Sequence, residues 1–153
     1  MAEVSAEARI GAPAEQVWAR LTDFAGYGRW NVLHTGFPEG APTALEPGAT
    51  YRENMKLMGF PAEVTWTVAE FEPGLVLDVR GRGPMGVNIG NRYSLTPDGA
   101  ATVVRIAGEF TGAAVSLMAG RLQESATAAL NESLEKLAGL VAGGGGPDPA
   151  HTP

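Results

Sequence analysis

The chain has 153 residues, 44% of them hydrophobic, which is enough for one sizeable core and too little for two. Its formal net charge of -6, with eleven Lys and Arg scattered along the sequence, weighs against a nucleic-acid backbone as partner, since such binding needs a net basic surface or stripe. The absence of cysteine excludes disulfides, thiolate metal sites and cysteine nucleophiles and fits a reducing cytoplasm. The alternation of Val4 to Ile10, with Ala6, Ala8 and Ile10 on one face and Ser5, Glu7 and Arg9 on the other, predicts a first strand. Gly11-Ala12-Pro13 ends it. Pro13 suits the first turn of a helix whose apolar face carries Val17, Trp18 and Leu21, and a second short helix is expected near Tyr27 to Asn31.

His34 to Gly48 is rich in proline and glycine and has no clear period, so it is expected to be a loop over a cavity mouth. Strands are predicted at Thr50 to Leu57, Ala62 to Phe71, Val76 to Gly81, Val87 to Leu95 and Ala101 to Phe110. The links between them, such as Glu72-Pro73-Gly74 and Pro97-Asp98-Gly99, are short turns, which implies an antiparallel meander. Gly112 to Val141 is expected to be one long amphipathic helix facing the sheet through Val115, Met118, Leu122, Ala126, Ala129, Ser133, Leu137 and Val141. Its middle, Ser125 to Ala129, is made of small residues where an ordinary core places Leu or Phe, and the space beneath is the candidate ligand cavity. One domain is expected over residues 1–142, with a disordered tail rich in glycine and proline over 143–153. No stretch is apolar enough to span a bilayer, and Met1-Ala2-Glu3-Val4 lacks the basic start of an export signal. A cytoplasmic protein is the expectation, monomeric or homodimeric.

The order of strand, two short helices, five further strands and a long terminal helix resembles the helix-grip fold of the START-like (SRPBCC) superfamily. The local matches are Ile10-Gly11-Ala12-Pro13-Ala14-Glu15-Gln16-Val17-Trp18, which is similar to the opening strand and helix of that group, and Tyr27-Gly28-Arg29-Trp30-Asn31, which is similar to its tryptophan motif. The resemblance implies an α+β fold in which a curved antiparallel sheet of six to seven strands wraps around a long C-terminal helix. It also implies a hydrophobic small-molecule partner, as in polyketide cyclases and dehydratases or in lipid carriers. Function must be argued from the site and not from the fold.

Strand parity places Tyr51, Glu53, Met55 and Leu57 on one face, together with Val64, Trp66 and Val68, with Val87, Ile89, Asn91, Tyr93 and Leu95, and with Val104, Ile106, Gly108 and Phe110. An apolar lining with a few polar groups is the usual make-up of a small-molecule site. Glu53 is either a solvated rim residue or a carboxylate held among Met55, Leu57 and Trp66 and suited to proton transfer. Tyr51 and Tyr93 are either plain core aromatics or groups that orient a substrate oxygen, and Asn91 facing an apolar interior needs a hydrogen-bonding partner. His34 directly follows the region of Trp30 and Asn31 that borders the cavity in the resembling family, and is the candidate partner of Glu53. Glu53 and His34 are therefore the candidate catalytic pair. The candidate binding residues are Trp30, Asn31, Tyr51, Met55, Trp66, Asn91, Tyr93, Met118, Leu122 and Ala126. With one histidine outside the tail and no cysteine, neither a metal nor another cofactor is expected. Two functions fit: a polyketide cyclase or dehydratase, or a noncatalytic carrier of an apolar metabolite or lipid.

Overall fold

The structure, a computed structural model, describes residues 2–142. The tail expected over 143–153 lies outside the described residues. Strand β1 (Ala2–Ile10) buries Ala2, Val4, Ala6 and Ile10 and exposes the residues between the first three of them. Helix α1 (Ala14–Leu21) follows, with the extended Pro13 as its N-cap and Val17 and Leu21 on its buried face. A 3-10 turn over Phe24–Arg29 stands slightly ahead of the second helix expected near Tyr27 to Asn31.

One correction concerns the segment expected to be a loop. Its first residues form β2 (His34–Gly36), which pairs antiparallel with the next strand through His34 opposite Met55 and Gly36 opposite Asn54, with a bulge between them. Three residues are too few for an alternation to show in sequence, and this edge strand exists because its partner supplies the hydrogen bonds.

The remaining strands are β3 (Thr50–Leu57), β4 (Phe60–Glu72), β5 (Val76–Arg82), β6 (Asn88–Asp98) and β7 (Ala101–Thr111). Together they make one seven-stranded antiparallel sheet in the order β1-β7-β6-β5-β4-β3-β2. It curls as a half-barrel around the C-terminal helix, the helix-grip arrangement. The β3–β4 hairpin turns on Met58 and Gly59, both at positive φ (54° and 82°), the backbone of a two-residue turn that matches the strand twist.

The C-terminal helix is not continuous. Helix α2 (Ala113–Ser116) is separated from α3 (Ala119–Ala142) by Leu117 and Met118. The Met118 amide bonds to the Val115 carbonyl three residues back, a tightened turn that redirects the axis. Leu117 and Met118 are consequently exposed, and Met118 does not face the sheet as its spacing suggested. Along α3 the buried residues are Leu122, Ala126, Ser133, Leu134, Leu137 and Val141, so that Leu134 replaces the expected Ala129.

The interior divides into two apolar clusters. The larger joins Ile10, Val17, Leu21, Trp66, Val104, Ile106, Leu134 and Leu137, among others, and the smaller joins Ala2, Val4, Phe110, Val115, Leu122 and Ala126. Ile89 and Leu130 pack against both. Gly81 on β5 lies opposite Trp66 in register, and a Cβ there would approach Val64 Cγ1 to 2.6 Å and the indole ring to 2.7 Å. Gly81→Ala is therefore expected to destabilise the fold by about 1–3 kcal/mol through overpacking, as measured by urea unfolding. A cost under about 0.5 kcal/mol would show that the indole has room to move.

Candidate functional site

The seam between the two clusters holds a polar layer. Glu53, projected inward from β3, is only 4% exposed. Its Oε1 accepts the indole N–H of Trp66 on β4 at 2.8 Å, and its Oε2 lies 2.7 Å from His34 Nδ1 on β2. Both side chains of the His34–Glu53 pair are buried. The bulge in β2 turns His34 inward, where its ring meets Tyr27 edge-on at 5.2 Å and packs on Phe37 at 4.5 Å. Tyr27 in turn bonds through its hydroxyl to that of Tyr93 on β6 at 3.0 Å, and Asn91 shares the cavity wall with Tyr93. From α3, Ser133 Oγ accepts the Val32 amide at 3.0 Å and so ties the segment carrying Trp30 and His34 to the long helix. Asn31 Oδ1 accepts the Leu33 amide at 3.0 Å, a local turn that sets the entry into β2.

A small cavity of about 30 Å³ lies at this seam, room for on the order of one water molecule. Trp30, Asn31, Glu53, Met55, Asn91, Tyr93 and Ala126 line it, along with Val4, Leu33, Ile89, Ile106, Phe110, Leu130 and Ser133. His34, Tyr51 and Trp66 are not in its wall. His34 and Trp66 stand behind Glu53 as its partners, and Tyr51 packs between Phe24 and Phe37. The expected open space under the small residues of α3 is thus mostly filled, because Ile89, Phe110 and Leu130 close over it.

Ile89 and Phe110 also border a second space. This is an apolar groove of about 420 Å³ between the β3–β4 and β5–β6 hairpins and the α2–α3 break, with Met58, Phe60, Met85, Val115, Met118 and Leu122 among its walls. Met118 and Leu122, expected in the inner cavity, belong here. Met58 and Met85 are the positive-φ non-glycine residues among the described residues. Both are methionines at hairpin tips on this groove, where local strain and an adaptable side chain coincide. A larger hollow of about 520 Å³ on the outer sheet face is open and polar, crossed by the Arg80 and Arg92 pairs to Asp78, Glu109 and Glu70. Of its charged lining residues, Arg80, Arg92 and Glu109 are held in ion pairs. Tyr27 is the residue of the polar layer that sequence spacing missed, since the turn that carries it has no strand parity to reveal an inward side.

Residues 1–142 match the family model described as polyketide cyclase / dehydrase and lipid transport. The chain belongs to this family. Among curated relatives, Toxin Rv0910 of Mycobacterium tuberculosis is 25% identical over 144 residues, 94% of this chain and 100% of that protein. Among solved structures, a START superfamily protein from Mycobacterium smegmatis matches at TM-score 0.70 with 18% identity, covering 92% of this chain and 97% of the other. DynU16, from the dynemicin biosynthetic locus, matches at TM-score 0.69 with 20% identity over 94% of this chain and 48% of its own. These structural likenesses show the fold. No helix among the described residues is long and apolar enough to cross a membrane.

All three tyrosines of the sequence are held well above the ordinary phenol value, first by burial and then by the neighbouring Tyr93 or Glu53. They remain hydroxyl donors throughout the neutral range. A free phenol titrates near pH 10, so between that value and the folded one the unfolded chain loses protons that the native state keeps. Stability is therefore intact below about pH 10 and falls as pH rises beyond it. Absorbance at about 295 nm is expected to show little tyrosinate at about pH 11 while the fold persists, then a cooperative rise with unfolding. A gradual rise centred near pH 10 in folded protein would contradict the burial of these hydroxyls.

Proposed function

We propose that the protein takes an elongated, mostly apolar small molecule into the space between sheet and α3, and that Glu53 moves a proton on a carbonyl group of that molecule. The observation that carries this reading is the buried Glu53 carboxylate, in the cavity wall and braced from behind by His34 and Trp66. The apolar groove is of the size usual for small-molecule sites. It meets the inner cavity at Ile89 and Phe110, and displacement of these two side chains would make one continuous site. Family membership supports a polyketide-type substrate, in which removal of a proton next to a carbonyl precedes ring closure or loss of water. Glu53 takes that proton as its carboxylate, leaving an enolate, and returns it as the carboxylic acid. His34, outside the cavity wall, acts through Glu53 as a positioning residue. Confinement of a flexible chain in the site supplies a further share of the acceleration.

A noncatalytic carrier of an apolar metabolite is the second reading. The specific observation on its side is that both Glu53 oxygens already have protein partners, which is what a purely structural carboxylate requires.

Exchange of the α-hydrogens of a bound β-diketone for deuterium, followed by NMR in D2O, separates the two. Wild type is expected to accelerate exchange, and Glu53→Gln to slow it by about a hundredfold with little change in affinity. Equal exchange by the variant, or no acceleration by a wild type that binds the diketone, would leave the carrier.

A further inference from the structure

The two largest fully buried side chains are indoles, Trp30 and Trp66. Trp66 gives its N–H to Glu53. Trp30 is 1% exposed and its Nε1 has no hydrogen-bonding partner among the described residues. A buried N–H without an acceptor is rare, and one on a residue of a cavity wall calls for an acceptor from outside the chain, a ligand oxygen or a water. Trp30 borders the inner cavity together with Tyr93.

Tyr93 leads to the same place by a separate route. The 3.0 Å bond between the Tyr27 and Tyr93 hydroxyls uses only one of their two hydrogens. With Tyr27 as the donor, the hydrogen left over is that of Tyr93, a residue of the cavity wall. Burial keeps this hydroxyl protonated, so that it retains a hydrogen to donate. Two donors, the unpartnered indole N–H of Trp30 and the phenol O–H of Tyr93, thus belong to residues that border a space of about 30 Å³, the size of one small polar group and not of a ring. Glu53 supplies the acceptor in the same wall.

We infer that Trp30 and Tyr93 form a two-donor seat for one oxygen atom of the ligand, so that the molecule bound is a ketone or a similar carbonyl compound with its oxygen at the buried end and its hydrocarbon body in the outer groove. This rests on the reading of the cavity as the ligand site. It goes further by fixing the ligand's polarity and its direction of entry. In the proton-transfer reading, the same two donors stabilise the enolate oxygen as charge develops there, while the proton goes to Glu53. As a seat it is equally needed by a carrier.

The test compares 2-acetylnaphthalene with 2-isopropenylnaphthalene, which has nearly the same shape and a CH2 in place of the oxygen. Two readouts are taken: affinity by calorimetry, and the indole N–H resonances in 1H–15N spectra of the wild type. The ketone is expected to bind at least about tenfold tighter than the alkene. It should move the Trp30 indole resonance downfield, whereas the alkene should not, and the Trp66 resonance, already bonded to Glu53, serves as the internal reference. Tyr93→Phe should narrow the preference, and Trp30→Phe with Tyr93→Phe should abolish it. Equal affinities together with an unmoved Trp30 resonance would overturn the seat and leave the roles of Glu53 open to their own test. Ketone preference with no Glu53-dependent exchange would keep the seat and remove the catalysis. Binding of neither probe would overturn the cavity as a ligand site and the seat with it.

Discussion

A carboxylate on the inner face of a hydrophobic sheet is tolerable only when its oxygens are satisfied, and the arrangement of this protein's interior follows from how Glu53 meets that condition. The Trp66 indole reaches one oxygen because Gly81, beside it on β5, leaves the ring room to lie against the sheet. The other oxygen is met by His34, which requires the short β2 and its bulge. That placement brings the preceding turn down over the site, where Tyr27 touches both His34 and Tyr93. Ser133 on α3 then fastens the same segment to the helix. One buried carboxylate thus links β2, β3, β4, β6, the 3-10 turn and α3.

The same layer lies between two apolar clusters, and the small cavity at the seam is bordered by both polar and apolar side chains. The outer groove supplies what the seam lacks, an apolar volume large enough for a ring system or a chain. Ile89 and Phe110 line both, and the groove is rimmed by methionines whose side chains adapt readily to different shapes.

Much of this was legible in the residue pattern. The period-two alternation of β3, β4, β6 and β7 placed Glu53, Trp66, Tyr93 and Ile106 on the inner face, because a strand with one buried face admits no other register. The pairing of His34 with Glu53 was readable only as adjacency in the resembling family, since a three-residue edge strand leaves no period. The break between α2 and α3 was hidden because Leu117 and Met118 are good helix formers whose exposure depends on tertiary context. Tyr51 and Trp66 share the inward parity of Glu53 and yet lie behind it, a distinction of depth that parity cannot express. The filled state of the cavity depends on Leu130 and Phe110 leaning across the small residues of α3, which is a matter of packing and not of spacing.

The most direct test of the account is where a bound molecule sits. Isotope-filtered NOE spectra of the protein with 2-acetylnaphthalene are expected to show the acetyl methyl against the methyl groups of Met55 and Ala126, and the ring protons against Val115 and Met58. Contacts confined to the outer groove, or to the charged outer face of the sheet, would contradict the placement of the ligand's polar end beside Glu53.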